Sequence, residues 1–323
     1  MLCNQQSYHT NFWQKIMDYE QLKAKIGSGL LSFPITDFGP DGEFDRAGYA
    51  RRLHWLSSYG AAGLFAAGGT GEFFSIGDDE YDDVIRTAVD NSAADVPVLA
   101  GVGYGTRMAV DLAKRAEKAG AAGLLVLPHY LMVAEEAGVI AHMQAICKAV
   151  GIGVIYYARD NTKLSPAGLE KLAETCPNFM GYKDGIGDVQ LMQRIHYRLG
   201  DRVVHIGGLP TAEVFAQPYL EMGVTTYSSA VFNFVPELAL RFYKAVRERD
   251  SKTIDGLMKS FYLPLIDLRD KKKGYAVSII KAGAELVGHG AGKVRSPLTD
   301  LEPAEREVLR ALIEAHSDKA MVA

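Results

Sequence analysis

Lys183, at the end of an apolar stretch, is the residue of this sequence best suited to covalent chemistry. It closes the run of residues 179–182 and is followed by Asp184 and a glycine. Burial disfavours the ammonium form and lowers the pKa of a lysine, which leaves a neutral amine able to attack a carbonyl carbon. The alternative is an ammonium that reaches solvent and pairs with Asp184. Because Lys281, another lysine with apolar neighbours, lies in a helical pattern, we predict that Lys183 is the nucleophile.

A glycine-rich segment, residues 68–72, follows the second apolar run of the chain. Three of its five residues are glycines, and Thr70 and a glutamate complete it. Backbone N–H groups that are bared in this way can converge on an anion such as a carboxylate or a phosphate. We therefore predict that Gly69, Thr70 and Gly71 contribute to a substrate site. The alternative is a tight turn that binds no ligand.

Further polar residues end the other apolar runs. Tyr130 follows a Pro-His pair and could shuttle protons, and the alternative is a tyrosine that only packs at its strand end. Arg159 could clamp a carboxylate with two hydrogen bonds, or form a surface ion pair with Asp160. Gly207 and Ser229 end the last two runs and are candidates for contact with a substrate. The eight histidines show no H-x-x-x-H or H-E-x-x-H spacing, so the sequence predicts no metal site.

Eight apolar runs, each followed by a helical pattern, are expected to position these residues. The runs begin near residues 28, 63, 98, 123, 153, 179, 203 and 223, and most are continuous rather than alternating. Continuous runs indicate parallel strands that are covered on both faces. The pattern predicts an α/β fold, a (β/α)8 TIM barrel, whose active site lies at the carboxyl ends of the strands. An open doubly wound sheet is the alternative, but its G-x-G-x-x-G phosphate motif is missing after the first strand.

Additional C-terminal helices follow the eighth run, with helical patterns over residues 236–249, 252–268, 273–287 and 303–316. We expect a barrel over residues 17–235 and a helical extension over residues 236–323 that packs on the barrel. Residues 1–16 lack an apolar stretch of signal-peptide length, and we expect them to form a tail outside the fold. Asp188 and Thr211 are predicted N-caps of two barrel helices.

Composition limits the classes of function that remain. The 323 residues include 35 lysines and arginines against 39 aspartates and glutamates, so the net charge is −4. The chain lacks the basic excess of a nucleic-acid-binding protein, and no window is long and apolar enough to span a membrane. Three cysteines without C-x-x-C spacing argue against a disulfide framework and favour a reducing cytoplasm.

Three motifs of the chain resemble the Schiff-base-forming aldolase and dehydratase family of N-acetylneuraminate lyase and dihydrodipicolinate synthase. Its G-[TS]-T-G-E motif is matched by residues 68–72, its P-x-Y motif by residues 128–130 and its G-x-K-[DE] motif by residues 181–184. Order and spacing agree, and the resemblance runs from about residue 26 to the end of the chain. It implies that Lys183 forms the imine, that Tyr130 shuttles protons with Thr70 as relay partner, and that no cofactor is needed.

Departures from the family pattern point to one branch of it. Gly69 replaces the first hydroxyl of the glycine-rich motif, no arginine closely follows Tyr130, and Y-N-x-P-x-R-T becomes Y-Y-A-R-D-N-T at residues 156–162. Several stretches, including residues 33–38 and 274–283, are similar to the decarboxylating dehydratases of the family. That resemblance implies loss of water and CO2 from a small sugar diacid, keto-deoxyglucarate, to give 2,5-dioxopentanoate. It also implies a homotetramer.

Two points stay open at the level of sequence. The distal carboxylate of the diacid has either Arg159 or Ser229 as its partner. Other functions also fit the same residues: a pyruvate-dependent aldolase or synthase of the family, a phosphosugar-binding barrel without a Schiff base, or a non-catalytic sugar-acid sensor. The phosphosugar enzyme would use residues 68–71 or residues 207–208 for its phosphate.

Overall fold

The structure of the protein, a computed structural model, describes residues 17–129, 133–159 and 161–317. Eight parallel strands close into a barrel in which each strand pairs with its neighbours in chain order, and the eighth pairs with the first. The strands are β1 (Leu31–Ser32), β2 (Gly63–Ala66), β3 (Val98–Val102), β4 (Gly123–Val126), β5 (Gly153–Ala158), β6 (Phe179–Asp184), β7 (Val204–Gly207) and β8 (Thr226–Ser229). This closed sheet confirms the predicted (β/α)8 TIM barrel.

A ring of helices surrounds the barrel, and further helices follow it. The first helices are α1 (Tyr19–Gly27), which precedes β1, then α2 (Arg46–Ser57), α3 (Tyr81–Asn91), α4 (Thr106–Lys118), α5 (Glu136–Ala149), α6 (Pro166–Thr175), α7 (Val189–Leu199), α8 (Glu213–Glu221) and α9 (Pro236–Glu248). They are followed by α10 (Ser251–Leu257), α11 (Leu263–Arg269), α12 (Tyr275–Leu286) and α13 (Pro303–Glu314), with a π-helical turn (Met258–Tyr262) between α10 and α11. Helices therefore lie where the sequence predicts them after the eighth strand.

The helix α9 bears on where the barrel ends. It is the first α-helix after β8 and packs beside α8, so it completes the ring of eight helices. The sequence-based boundary between residues 235 and 236 leaves this helix in the extension, because no strand-like run appears beyond that point. We propose instead a boundary after Glu248, with α10 to α13 as the extension.

An apolar cluster fills the interior of the barrel. Its members are Leu22, Ile26, Leu31, Phe33, Ala62, Phe65, Leu99, Leu125, Ile155, Tyr157, Met180, Val204 and Ile206. Leu22 and Ile26 of this cluster belong to α1. They pack closely over Gly63 and Gly123, the first residues of β2 and β4, where an added side chain would contact them. The helix α1 therefore closes the amino-terminal end of the barrel, and the carboxyl end is left for the functional site.

The strand β1 is short because a side chain takes over its hydrogen bonding. Asn233 Nδ2 donates to the carbonyl of Phe33 at 3.0 Å, and Asn233 Oδ1 accepts from the N–H of Ile35 at 3.0 Å. Pro34, between them, has no N–H to donate. Asn233 thus joins the segment after β1 to the segment after β8, and it fixes Phe33 at the open end of the barrel.

Of the two predicted N-caps, one is confirmed and one is wrong. Asp188 Oδ1 accepts from the N–H of Leu191 at 3.0 Å and caps α7. Thr211 is not an N-cap, because α8 begins at Glu213 after Ala212, and Thr211 lies in the left-handed region with a φ of +52°. Its hydroxyl has another partner, which belongs to the functional site.

Candidate active site

Lys183 lies near the carboxyl end of β6 with its side chain inside the barrel. The residue is 3% exposed, and its Nζ donates to the carbonyl of Gly208 at 3.1 Å. Burial lowers the pKa of this lysine below its ordinary value, although the neighbouring Tyr157 and Asp184 oppose the shift. A lysine with a lowered pKa supplies the neutral amine that imine formation requires.

Asp184 does not form the ion pair that is the alternative interpretation of Lys183. Successive side chains of a strand point to opposite faces, so the carboxylate of Asp184 faces the helices. It accepts hydrogen bonds from the hydroxyl of Tyr219 and from the backbone N–H groups of Ile186 and Gly187. The amine of Lys183 is therefore left to face the interior of the barrel.

Tyr157, on β5, lies directly against the amine. Lys183 Nζ is 3.6 Å from the centroid of the Tyr157 ring and 5.1 Å from that of Phe33. The phenol donates to the carbonyl of Gly208 at 3.0 Å and accepts from Nη1 of Arg159 at 3.3 Å. Burial alone would raise the pKa of Tyr157, but the cationic Lys183 and Arg159 lower the pKa overall. A phenol with a lowered pKa beside an amine is suited to proton transfer.

A cavity of about 770 Å³ opens beside Lys183 at the carboxyl end of the barrel. Among the described residues, the charged side chains that line it are those of Lys183, Arg159 and Arg269, and no described aspartate or glutamate lines it. Apolar side chains of the barrel, of α11 and of α12 form much of the remaining wall. A positively charged cavity with apolar walls favours an anionic ligand.

The glycine-rich segment after β2 brings Gly69 and Thr70 to the cavity, but not Gly71. Nothing lies within 4 Å of the place where a side chain of Gly69 would start, so the backbone there is open to a ligand. The carbonyl of Gly71 accepts from the hydroxyl of Thr36 at 2.6 Å, and a side chain at Gly71 would collide with the carbonyl of Pro34. Gly71 is therefore a residue of the turn, and the predicted substrate contacts are left to Gly69 and Thr70.

Glu72 anchors the glycine-rich segment from behind. It has a φ of +56°, and its buried carboxylate forms an ion pair with Nζ of Lys281 at 2.8 Å. Lys281 Nζ also donates to the carbonyl of Lys293 at 2.9 Å. Lys281 thus ties the segment to α12, which agrees with the choice of Lys183 rather than Lys281 as the nucleophile.

At the ends of β7 and β8, the cavity is lined one residue away from the predicted positions. Gly208 and Ser228 line it, whereas Gly207 and Ser229 do not. Ser229 is fully buried on the outer face of the barrel, where its hydroxyl donates to Glu213 Oε1 at 2.6 Å. A shift of one residue along a strand reverses the face to which a side chain points. Ser228 therefore takes the place that the sequence predicts for Ser229, and Gly208 the place of Gly207.

Tyr130, the predicted proton shuttle, lies outside the described residues, as does Asp160. Pro128 and His129, which precede the tyrosine, line the cavity. Arg159 also lines the cavity, as its predicted role in substrate binding requires. The role of Tyr130 itself stays a prediction from the P-x-Y motif.

The sequence-based predictions do not identify Arg269 and Tyr157 as residues of the cavity. Arg269 stands at the end of α11, in a helical pattern with charged neighbours and no motif around it. Tyr157 carries one signal, because it stands where the family pattern Y-N-x-P-x-R-T has its asparagine. Only the alternation of strand faces separates it from Tyr156, whose hydroxyl donates to the carbonyl of Thr162 at 2.6 Å, away from the amine.

Within the residues that the structure describes, no three His, Cys, Asp or Glu side chains lie together as a metal site would require. Across the same residues, no helix has the length and apolar character needed to cross a membrane. The expectation of a reaction without a cofactor rests on the chemistry of an imine, which Lys183 is placed to form.

Comparison with known proteins assigns this chain to a family. The model of the dihydrodipicolinate synthetase family matches residues 27–316. The chain belongs to the dihydrodipicolinate synthetase family. Dihydrodipicolinate synthase from Oceanobacillus iheyensis has a TM-score of 0.84 and 26% identity, covering 92% of this chain and 99% of that chain. A prophage protein of the dihydrodipicolinic acid synthase family from E. coli K12, in complex with pyruvate, has a TM-score of 0.80 and 27% identity, covering 89% and 98%.

Other proteins are far more similar to this chain in sequence. A protein of Bradyrhizobium sp. (strain ORS 278), named a probable 5-dehydro-4-deoxyglucarate dehydratase, is 60% identical over 299 residues, which is 93% of this chain and 95% of its own. A protein of Azotobacter vinelandii with the same name is 57% identical over 297 residues, which is 92% of this chain and 98% of its own. The resemblance inferred from the motifs, including the dehydratase branch, is thereby confirmed.

Proposed function

We propose that this member of the dihydrodipicolinate synthetase family is a 5-dehydro-4-deoxyglucarate dehydratase, which removes water and CO2 from its substrate to give 2,5-dioxopentanoate. The observation that carries the proposal is the buried Lys183, which faces a cavity whose described charged residues are all cations. Relatives at 57% and 60% identity bear this activity in their names. Such a cavity suits a substrate with two carboxylates.

Lys183 begins the reaction as a nucleophile. Its neutral amine attacks the C5 ketone of the substrate, the carbinolamine loses water, and a protonated imine forms. The phenol of Tyr157, whose ring lies 3.6 Å from Nζ, exchanges protons with the amine and the departing oxygen. In this scheme Tyr130 shares the proton transfer, with Thr70 as its relay partner, as the family motifs imply.

The protonated imine then serves as the electron sink. It acidifies the C4–H bond, and loss of that proton gives an enamine that expels the C3 hydroxyl as water. The conjugated imine that results accepts the electron pair of the C1–C2 bond when the C1 carboxylate leaves as CO2. Protonation of the dienamine, conversion of the C2 enol into an aldehyde and hydrolysis of the imine release the product. One six-carbon diacid thus gives one five-carbon keto acid aldehyde, one CO2 and one water.

The carboxylate next to the ketone binds to the backbone N–H groups of Gly69 and Thr70 in this scheme. Both residues line the cavity, and N–H groups bared by a turn bind carboxylates. Arg159 adds positive charge beside the amine. Because a neighbouring cation disfavours a second positive charge, Arg159 also contributes to the lowered pKa of Lys183, after the larger effect of burial.

Reduction with borohydride tests the imine. Incubation with a 2-keto acid and borohydride should add the mass of the reduced ligand to the peptide that contains Lys183. Lys183→Met should lose both the adduct and turnover, whereas Lys163→Met, which changes an exposed lysine, should keep both. An adduct on another lysine, or full turnover in Lys183→Met, would contradict the proposal.

We infer further that the enzyme acts in the cytoplasm as a homotetramer. Cys147 and Cys176 are free thiols, as expected in a reducing compartment. The tetramer is supported by membership of the family, and the half-exposed Phe74, packed against Tyr104 with ring centroids 5.4 Å apart, offers an apolar contact surface. Sedimentation as a monomer at micromolar concentration would refute the tetramer.

A further inference from the structure

A second arginine lies on the cavity wall, on the other side of Lys183 from Arg159. In barrel order, Arg159 follows β5, Lys183 belongs to β6 and Thr211 follows β7. Arg269 reaches the cavity from α11, and its Nη1 donates to the hydroxyl of Thr211 at 2.6 Å. The strand that carries Lys183 therefore lies between the strand that Arg159 follows and the strand whose following segment binds Arg269.

Arg269 is held by contacts that leave part of its donor set unused. Its Nε donates to Asp270 Oδ1 at 2.8 Å and its Nη1 to Thr211, while Nη2 has no hydrogen-bond partner in the described part of the chain. The side chain of Arg269 is 17% exposed, whereas that of Asp270 is 60% exposed. An arginine has five N–H donors in a fixed planar arrangement, so the Nη2 pair is available to a ligand in the cavity.

The conformation of Thr211 is a second sign of a built site. Its φ of +52° lies in the left-handed region, which a β-branched residue rarely adopts. Such a conformation persists only where the surrounding structure enforces it, and it is found most often at binding sites. Here the strained residue presents its hydroxyl to Arg269 at the wall of the cavity.

We propose that Arg269 binds the distal carboxylate of a six-carbon 2-keto diacid whose ketone forms the imine with Lys183, and that Thr211 is its positioning residue. The inference rests on the proposed function and names the partner of the second carboxylate. Of the two candidates from the sequence, Ser229 faces the helices and Arg159 lies beside Tyr157. Arg269 is the remaining cation among the described residues of the cavity.

The distal carboxylate is the group that leaves as CO2, so its partner must select the substrate without stabilising the charge too firmly. An arginine bound through two hydrogen bonds would favour the carboxylate over the uncharged CO2 and slow its loss. Asp270 offsets part of the charge of Arg269, and Thr211 occupies one of its donors. Arg269 therefore raises the affinity for diacids over monoacids and contributes little to the chemical step.

Imine trapping with two keto acids that the enzyme cannot dehydrate tests this subsite without turnover. 2-Oxoadipate ends in a carboxylate and 2-oxohexanoate ends in a methyl group, and neither has the hydroxyl that elimination requires. We expect 2-oxoadipate to reach half-saturation of borohydride trapping at a concentration about 10- to 100-fold lower than 2-oxohexanoate, as one charge-assisted contact provides. In Arg269→Met the ratio should fall to about 3-fold or less.

Two further variants make the result decisive. Arg310→Met, at an exposed arginine of α13, should keep the ratio of the unmodified enzyme. Thr211→Val removes the hydroxyl that Arg269 uses and should lower the ratio part of the way, so it tests the subsite even where Arg269→Met does not fold.

The outcomes separate the subsite from the proposed function. Equal half-saturation by the two keto acids in the unmodified enzyme, or an unchanged ratio in both the Arg269 and Thr211 variants, would overturn the subsite alone. No adduct at Lys183 with either keto acid would overturn the proposed function, and the subsite with it.

Discussion

The amine of Lys183 and the phenol of Tyr157 meet at one acceptor, the carbonyl of Gly208. Burial lowers the pKa of the amine, and the two cations beside the phenol lower its pKa despite burial. Both shifts move the pKa values of these groups toward neutral pH, where each group can give up and regain a proton during turnover. Tyr157 is therefore placed to exchange protons with Lys183.

Tyr157→Phe tests the phenol directly. The substitution keeps the ring against which Lys183 rests and removes only the hydroxyl, so the fold and the imine should survive. We expect kcat to fall about 10²-fold or more, the usual contribution of a general acid–base group, with borohydride trapping at Lys183 retained. Tyr197→Phe, at a tyrosine that is 84% exposed, serves as the control. Normal turnover in a folded Tyr157→Phe enzyme would remove Tyr157 from the mechanism.

Arg159→Met tests the electrostatic origin of the reactive amine. The rate of trapping should rise with pH as Lys183 loses its proton, and the lowered pKa of Lys183 places the midpoint below that of an ordinary lysine. Burial is the larger cause and stays in place in the variant, but a neighbouring cation that lowers the pKa is removed. The midpoint should therefore move to higher pH. A midpoint that stays in place, or moves to lower pH, would show that Arg159 does not act on Lys183.

At the scale of single residues, the sequence predicts which residues line the cavity where residue type and strand position coincide. Lys183 is found because a lysine near the end of an apolar run has few other reasons to be there. The predictions of Ser229 and Gly207 are each one residue away from Ser228 and Gly208, which line the cavity, because an apolar run does not indicate which face of the strand a given residue occupies. Arg269 is missed because it enters the cavity from a helix whose pattern resembles that of a surface helix.

Among the elements, the glycine-rich segment after β2 depends on α12 for its position. The ion pair between Glu72 and Lys281 is buried, with 0% and 2% of the two side chains exposed. Glu72 also accepts from the backbone N–H of Arg295 at 2.9 Å. The helix α12 and the segment that follows it, both far along the chain from Glu72, thus hold the backbone that presents Gly69 and Thr70 to the cavity.

Breaking this ion pair should destabilise the fold. Lys281→Met leaves the Glu72 carboxylate buried without its cation, and we expect the free energy of unfolding to fall by about 3–5 kcal/mol in denaturant titration. The double variant Glu72→Gln with Lys281→Met should recover much of that loss, because no uncompensated charge remains. Glu307→Gln, in an exposed pair with Arg310, should change stability by less than about 1 kcal/mol. A double variant less stable than Lys281→Met would contradict this account.

The strands and helices are largely predictable because apolar continuity and helical periodicity alternate eight times along the chain. What the pattern does not predict is the shortness of β1, since Asn233, which follows the neighbouring strand β8, replaces its sheet bonds. It also does not predict that Thr211 caps no helix, because its conformation follows from tertiary contacts with Arg269.

For the molecule as a whole, two of the helices after α9, namely α11 and α12, form part of the wall of the candidate active site. Leu265 and Arg269 of α11 line the cavity, as do Val277 and Ile280 of α12. The sequence predicts an extension packed on the barrel but not that it supplies a wall of the cavity, because contacts between distant segments leave no local pattern. In the proposed function, the barrel provides the imine chemistry and the extension provides part of the substrate selectivity.

The stoichiometry of product formation from 5-dehydro-4-deoxyglucarate tests the central claim most directly. An imine at Lys183 permits either loss of C1 as CO2 or cleavage of the C3–C4 bond to give pyruvate. The two outcomes differ in their products. We predict one CO2 for each substrate consumed, an equal amount of 2,5-dioxopentanoate, and no pyruvate. Pyruvate formed in place of CO2 would contradict the dehydratase and make this chain an aldolase of the same family.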